Sequence, residues 1–218
     1  MEYKAVVFDL DGTLLDSIED LANSTNLALE KYGFPSQDVE KYKYFVGDGM
    51  YNLVVRAMLQ KKANKKLIKE CLACVIEEYG KHWADNTKPY QGIPELLIAL
   101  KEKDLKLAVL SNKPDEFTKI IINKFFPSYF ELVFGERESK GIPKKPDPQG
   151  AIEIAQTLKV SPQDCLYLGD TSTDMKTAVS AGMYPVGVLW GFREAEEILT
   201  NGAKLLIKRP LELMEILN

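Results

Sequence analysis

Two carboxylates separated by one residue follow an apolar, β-branched stretch near the start of the chain. The stretch ends in Val6-Val7-Phe8, the acids are Asp9 and Asp11, and Gly12-Thr13 comes next. A strand that stops at Asp9 would direct this side chain to the carboxyl edge of a parallel sheet, where open α/β sheets bind ligands. Two acids this close repel each other, so one can be an ionised nucleophile or metal ligand while the other carries a proton. The alternative is a strand that ends in an ordinary polar turn.

Further polar side chains follow apolar stretches or lie in loops later in the chain. Mg²⁺ prefers oxygen ligands, which Asp9 could supply together with two of these later acids. A lysine could neutralise both an attacking carboxylate and a phosphoryl oxygen, and a serine hydroxyl could hydrogen-bond another phosphoryl oxygen. Asp11 could protonate a leaving alkoxide and then deprotonate water. The later polar residues are Ser111, Asn112, Lys145, Asp170 and Asp174.

Each later residue also has a structural explanation that needs no chemistry. Ser111 and Asn112 could cap the helix predicted from Pro114, since Ser and Asn are common capping residues. Lys145 could be an exposed loop lysine, and Lys144 beside it makes the assignment ambiguous. Asp174 could be a first-turn helix acid that the helix dipole favours. The acid that follows Gly169 is harder to explain in this way, because it repeats the placement of the first acid.

The Asp-x-Asp-Gly-Thr sequence at residues 9–13 resembles the first of four motifs of the haloacid dehalogenase superfamily of phosphotransferases. The strand-end Ser111, the Lys145 before a proline, and the acids Asp170 and Asp174 are similar to the other three motifs, in the same order. The resemblance covers essentially the whole chain. It implies an aspartyl-phosphate mechanism with Mg²⁺ as cofactor.

The resemblance also implies roles for individual residues. Those expected to carry the catalytic steps are Asp9, Asp11, Ser111 and Lys145. Those expected to hold the metal are Asp9, Asp170, Asp174 and Asp11, the last through its backbone carbonyl. Thr13 is expected to help to hold Asp11. Those expected to contact substrate are Thr13, Gly47, Gly49, Ser111, Asn112 and Lys145.

Several further segments resemble the phosphoglycolate phosphatase branch of this superfamily. They are residues 8–17, 46–49, 88–97 and 111–113. The branch hydrolyses small phosphomonoesters such as 2-phosphoglycolate with Mg²⁺. A sugar phosphomutase of the β-phosphoglucomutase type is the closest alternative, and the same branch contains pyrophosphatases and nucleotidases. Asp11 argues against dehalogenases, which lack a second acid, and against phosphonate hydrolases, which carry Ala there.

A signalling receiver module is an alternative from a different functional class. Receivers share a doubly wound fold, a phosphorylated aspartate, Mg²⁺, a hydroxyl residue and a lysine. A helical insert of about seventy residues has no use in a receiver, and a second acid beside the first promotes rapid hydrolysis.

The pattern of the chain predicts an α/β core with a doubly wound parallel sheet and an inserted helical-bundle cap domain. The core is expected to comprise residues 1–15 and 90–218, and the helical cap residues 16–89. Ser17 and Asp20 are placed as a capping box for the first cap helix. A late strand is expected over residues 186–190, and a terminal helix through Leu213.

The cap is expected to exclude water by closing on hinges near residues 14–16 and 88–90. Gly47-Asp48-Gly49 is a candidate substrate loop, because glycine lets backbone approach a ligand closely. An ordinary inter-helix loop is the alternative. Arg56 could bind a substrate carboxylate, although a solvated helix residue is the preferred interpretation.

Composition limits the remaining possibilities. The chain has 218 residues and a net charge of −4 with both signs dispersed, so neither nucleic-acid binding nor a polybasic membrane surface is expected. No apolar run approaches the ~20 residues of a membrane span, and no signal peptide is apparent. Cys71, Cys74 and Cys165 are expected to be ordinary thiols, despite the Cys-x-x-Cys spacing. We expect a cytoplasmic monomer or homodimer whose partner is a small phosphorylated metabolite.

Overall fold

The computed structural model describes residues 2–58 and 64–217. The strands are β1 (Ala5–Phe8), β2 (Leu15–Asp16), β3 (Lys88–Pro89), β4 (Lys106–Pro114), β5 (Leu132–Glu136), β6 (Cys165–Gly169), β7 (Tyr184–Val188) and β8 (Leu205–Ile207). The α-helices are α1 (Ile18–Lys31), α2 (Val39–Phe45), α3 (Met50–Ala57), α4 (Lys65–His82), α5 (Ile93–Glu102), α6 (Asp115–Phe125), α7 (Gln149–Leu158), α8 (Ser172–Ala181) and α9 (Ala195–Thr200).

A six-stranded sheet organises the described part of the α/β unit, in the order β5-β4-β1-β6-β7-β8. Neighbouring strands in this sheet pair in parallel. The chain starts in the middle, moves outward to one edge through β4 and β5, and returns to fill the other half. This is the doubly wound α/β fold that the sequence predicts, and it creates a switch point at the carboxyl ends of β1, β4 and β6.

The central strand is apolar because helices cover both faces of a parallel sheet. All four residues of β1 are buried, from Ala5 to Phe8. On one face, side chains of α7 and α8 complete a core with the strands, including Ile154 and Ala178. The buried strands therefore form a rigid platform for the residues that follow them.

Contacts divide the chain into two compact units, Met1–Leu15 with Pro89–Asn218, and Asp16–Lys88. β2 pairs with β3 where the chain passes from one unit to the other. The second unit contains α1 to α4, with α1 packed on α4. The division into a core domain and a cap domain, and hinge motion at these positions, stay predictions.

Some local expectations are wrong. Ser17 makes no side-chain cap bond at the start of α1, and the Asp20 carboxylate instead accepts hydrogen bonds from Asn86 and Thr87. Trp190 lies beyond the end of β7 rather than within a strand. The predicted terminal helix through Leu213 is present as a 3₁₀ helix over Pro210–Ile216.

The three cysteines lie buried in two elements. Cys71 and Cys74 are buried in α4, Cys165 is buried in β6, and all three are free. Burial raises the pKa of the Cys71 thiol to about 11, so this thiol stays protonated at neutral pH. Among the described residues, no helix combines the length and apolar character needed to cross a membrane.

Candidate active site

The pairing of β1 with β6 brings two of the predicted acids together. Phe8 lies opposite Leu168, and the Asp9 amide continues this ladder by donating to the Leu168 carbonyl at 2.9 Å. Asp9 and Asp170 therefore both follow the last residues of adjacent strands. Carboxylate oxygens of Asp9, Asp170 and Asp174 all lie within 4.8 Å of one another, and all three residues are buried.

Asp174 combines a helix-capping role with a place in the acidic cluster. It is the third residue of α8, where its carboxylate accepts from the Thr171 amide at 3.1 Å, and its amide donates to the Thr171 hydroxyl. The other carboxylate oxygen accepts from Lys145 at 2.7 Å. Gly169 makes this approach possible, because a Cβ there would lie 2.2 Å from the Asp174 Cβ. The structural and the functional interpretations of Asp174 therefore coexist.

Asp170 is held by donors from two loops. The Thr13 hydroxyl donates to Oδ1 at 3.2 Å, and the Phe192 amide donates to Oδ2 at 2.8 Å. Thr13 was expected to support Asp11, but its hydroxyl supports Asp170 instead. Trp190, which was expected in a strand, donates from Nε1 to the Thr13 carbonyl at 2.9 Å and so helps to fix this loop.

Lys145 lies between two of the acids. Its Nζ is 2.7 Å from Asp9 Oδ1 and 2.7 Å from Asp174 Oδ1, and its side chain is 3% exposed. Asn112 brackets its backbone: Oδ1 accepts from the Lys145 amide at 2.8 Å, and Nδ2 donates to its carbonyl at 3.0 Å. Asn112 was expected to contact substrate, and in this structure it positions Lys145. Lys144 pairs with Glu138 at 3.9 Å instead.

Ser111 and Asp11 are tied to a lysine that was not predicted as a site residue. The Ser111 hydroxyl oxygen accepts from the Lys113 amide at 3.2 Å. Lys113 Nζ lies 3.1 and 3.0 Å from the two carboxylate oxygens of Asp11. In the sequence, Lys113 contributes only to a family resemblance. A lysine inside a long buried strand would have indicated a site residue. From the sequence this strand was expected to end at Ser111, however, so Lys113 was expected to follow the strand.

The charge of the cluster fits a divalent cation. Burial and the carboxylates of Asp174 and Asp170 raise the pKa of Asp9 well above its usual range, despite Lys145. Burial and Asp174 raise the pKa of Asp170 to about 7. Burial alone would lower the pKa of Lys145, but Asp174 and Asp9 raise it well above its usual value. Three ionised carboxylates around one ammonium leave two negative charges uncompensated, which is the charge that one Mg²⁺ ion would neutralise.

The predicted substrate loop lies in the other unit. Gly47 and Gly49 have φ values of 118° and 86°, which glycine adopts without strain. Arg56 pairs with the Asp48 carboxylate and donates to the Phe45 carbonyl at 3.0 Å, so it braces this loop from within the unit. Substrate contact by either glycine stays a prediction.

Comparison with known proteins gives consistent matches over the full chain. A family model for haloacid dehalogenase-like hydrolases matches residues 6–188. A phosphoglycolate phosphatase from Chromobacterium violaceum is 33% identical over 219 residues, covering 98% of this chain and 96% of that protein. An N-acetylmuramic acid 6-phosphate phosphatase from Pseudomonas aeruginosa is 30% identical and covers 100% of this chain and 96% of that protein. A crystal structure from Lactobacillus delbrueckii, assigned as a phosphoglycolate phosphatase, superposes with a TM-score of 0.94 at 32% identity, covering 100% of this chain and 99% of that chain.

Proposed function

We propose that this chain, a phosphatase that belongs to the haloacid dehalogenase-like hydrolase family, is Mg²⁺-dependent and hydrolyses 2-phosphoglycolate through an aspartyl-phosphate on Asp9. The observation that carries the mechanism is the contact of Lys145 with Asp9 inside the buried acidic cluster. A carboxylate that attacks a phosphate dianion has to be ionised and surrounded by positive charge. This cluster supplies the carboxylate of Asp9 and one cation, Lys145, and a bound Mg²⁺ would add the positive charge that favours ionised Asp9.

Asp9, Asp170 and Asp174 are the side chains that would hold Mg²⁺. The ion would neutralise charge on the phosphoryl oxygens and on the attacking carboxylate. Lys145 compensates part of the charge of Asp9, and the hydrogen bonds to Asp170 keep the Asp170 carboxylate oriented. Because Asn112 fixes the Lys145 backbone, the lysine is positioned before substrate arrives.

The reaction has two steps. Asp9 attacks phosphorus, the phosphorus–oxygen ester bond breaks, and Asp11 gives its proton to the leaving alkoxide. Asp11 then takes a proton from water, the water oxygen attacks phosphorus, and Asp9 is released with inorganic phosphate. The Ser111 hydroxyl would hydrogen-bond a phosphoryl oxygen throughout. The names of both relatives support phosphomonoester hydrolysis, and the phosphoglycolate phosphatase supports the choice of substrate.

A second candidate substrate is a larger phosphosugar acid. It is favoured by the relative named as an N-acetylmuramic acid 6-phosphate phosphatase, which matches the chain as fully as the phosphoglycolate phosphatase does. The mechanism on Asp9 would be the same, and only the group attached to the ester oxygen would differ.

Phosphate release with and without Mg²⁺ from a panel of phosphoesters tests this proposal. We expect Asp9→Asn to lower kcat by about a thousandfold or more, because it removes the nucleophile. The control is Asp104→Asn, an exposed aspartate of the same unit, which should keep full activity. Turnover concentrated on 2-phosphoglycolate supports the substrate, and turnover concentrated on the phosphosugar acid supports the second candidate.

Two results would contradict the proposed function. One is phosphate release by Asp9→Asn at a rate near that of the unsubstituted enzyme. The other is isomerisation of β-glucose 1-phosphate, with its bisphosphate present, without free phosphate, which would identify a phosphomutase.

A further inference from the structure

Lys113 is a second buried ammonium in the α/β unit, and it contacts the carboxylate of Asp11. Its Nζ is 3.1 Å from Asp11 Oδ1 and 3.0 Å from Asp11 Oδ2, so it contacts both oxygens of that carboxylate. The side chain of Lys113 is 2% exposed and that of Asp11 is 13% exposed. A buried ammonium has to be compensated by a negative charge, so Lys113 requires a carboxylate or an equivalent anion at this position.

The backbone around Lys113 is held from several directions. Its amide donates to the Ser111 hydroxyl oxygen at 3.2 Å, and its carbonyl accepts from the Thr118 hydroxyl at 3.3 Å. β5 packs so closely that a Cβ on Gly135 would lie 2.6 Å from the Lys113 carbonyl oxygen. The backbone of Lys113 is therefore held in place and its side chain is buried, whereas Asp11 is the more exposed partner and lies on the loop that follows β1.

The proposed reaction requires the Asp11 side chain to reach the ester oxygen of the substrate and give it a proton. A carboxylate that donates or accepts a proton there gives up part of its contact with Lys113. Weakening the contact of a buried ammonium with a carboxylate is costly, so exchange of one carboxylate for another would preserve this compensation of Lys113. A substrate with its own carboxylate close to the ester oxygen would provide that exchange, and a neutral sugar hydroxyl would not.

We propose that Lys113 is a specificity-determining residue that binds the carboxylate of a short hydroxy-acid phosphate when Asp11 turns to the ester oxygen. This inference rests on the proposed function and adds to it the substrate class and the residue that selects it. The substrate carboxylate has to lie within a few atoms of the ester oxygen, because the Asp11 side chain moves only from Lys113 to the ester oxygen while its loop stays in place. Phosphate esters of two- or three-carbon hydroxy acids meet this condition.

Kinetics on matched substrate pairs test the selection. One pair is 2-phosphoglycolate and 2-hydroxyethyl phosphate, and the other is 3-phosphoglycerate and glycerol 3-phosphate. Within each pair the carboxylate is replaced by a hydroxymethyl group. We expect Lys113→Met to lower the ratio of kcat/KM, carboxylate over neutral, by about 10- to 100-fold for at least one pair, mainly through KM. Lys119→Met, at an exposed lysine of α6, is the matched control and should leave the ratio unchanged.

A binding measurement separates this inference from the proposed function. In an Asp9→Asn background, calorimetry compares 2-phosphoglycolate with 2-hydroxyethyl phosphate, with and without Lys113→Met. Selective loss of 2-phosphoglycolate binding supports the role of Lys113, and equal losses for the two ligands overturn it. If Lys113→Met leaves too little folded protein, the substitution is made together with Asp11→Asn, and the Asp9→Asn, Asp11→Asn protein is the reference. Failure of the unsubstituted enzyme to hydrolyse 2-phosphoglycolate would refute the proposed substrate, whereas the binding ratio alone decides the role of Lys113.

Discussion

At the scale of single residues, Gly12 shows how closely the site is packed. Its φ is +85°, and a Cβ at this position would lie 2.3 Å from Asp170 Oδ2. An alanine there would therefore be strained in its backbone and would also displace a carboxylate that is predicted to hold the metal. Gly33 separates these two effects, because its φ is +76° and a Cβ added to it would have no neighbouring atom within 4 Å.

We predict that Gly33→Ala lowers the free energy of unfolding by about 1 kcal/mol and leaves phosphate release unchanged, because only backbone strain is added. Gly12→Ala should cost about 1–3 kcal/mol more and should lower kcat at least about tenfold, because Asp170 has to shift. Urea unfolding and steady-state kinetics of both variants measure the difference. Equal effects of the two substitutions on stability and activity would show that the space beside Asp170 is not required.

Most of the site residues could be predicted from the sequence because strand ends and acids are local signals. Asp9 and Asp170 each follow an apolar strand, and parallel pairing then brings them together. Lys113 could not be assigned in this way, since its partner is 102 residues away and only the fold determines that contact. The same holds for the Thr13 hydroxyl, whose partner Asp170 is 157 residues away.

At the scale of elements, Asp20 explains why local capping rules were insufficient. Ser17 and Asp20 have the spacing of a capping box, but the Asp20 carboxylate is already occupied by the segment that ends the helical unit. It accepts from the Asn86 amide at 3.0 Å, the Thr87 amide at 2.8 Å and the Thr87 hydroxyl at 2.7 Å. These bonds to Thr87 and Asn86 outweigh burial and lower the pKa of Asp20. A hydrogen bond between residues 66 positions apart thus replaces the expected capping bond between residues three positions apart.

We predict that Asp20→Asn lowers the free energy of unfolding by about 2–4 kcal/mol, because an amide nitrogen would then face backbone N–H donors without an acceptor. Glu19→Gln is the control, since Glu19 is an exposed acid in the same turn. Urea unfolding gives the difference, and hydrogen exchange at the Asn86 and Thr87 amides should accelerate only in Asp20→Asn. Similar stabilities for the two variants would show that the Asp20 carboxylate does not stabilise the segment that contains Asn86 and Thr87.

At the scale of the whole molecule, the order of strands and helices was the most predictable property. Alternating apolar stretches and helical periodicity determine a doubly wound sheet, because parallel strands need helical crossovers. The ends of elements were less predictable: Trp190 is apolar enough for a strand, yet its indole donates to the Thr13 carbonyl beyond the end of β7. The family match also removes the basis for a receiver module, since residues 6–188 match a hydrolase family.

The acidic cluster should make stability depend on both pH and Mg²⁺. Burial and neighbouring carboxylates raise the pKa of Asp170 from 3.8 to about 7 and raise that of Asp9 well above its usual range. Between pH 3.8 and about pH 7 the folded state therefore binds more protons than the unfolded state. Stability from these groups is therefore greatest near pH 4 and falls as the pH rises to about 7.

We predict that, with a chelator present, raising the pH from about 5 to about 7 lowers the free energy of unfolding by a few kcal/mol, and that saturating Mg²⁺ removes most of this loss. Mg²⁺ binds the ionised carboxylates of the folded state only, so at 100 times its Kd it should add about 2.7 kcal/mol at pH 7 and less at pH 5. Urea unfolding at both pH values, with chelator or Mg²⁺, measures the four free energies. In Asp170→Asn the Mg²⁺ effect should be largely lost, because a cluster ligand has gone. A Mg²⁺ effect of equal size at both pH values, retained in Asp170→Asn, would place the ion elsewhere and refute the assignment of this cluster as the metal site.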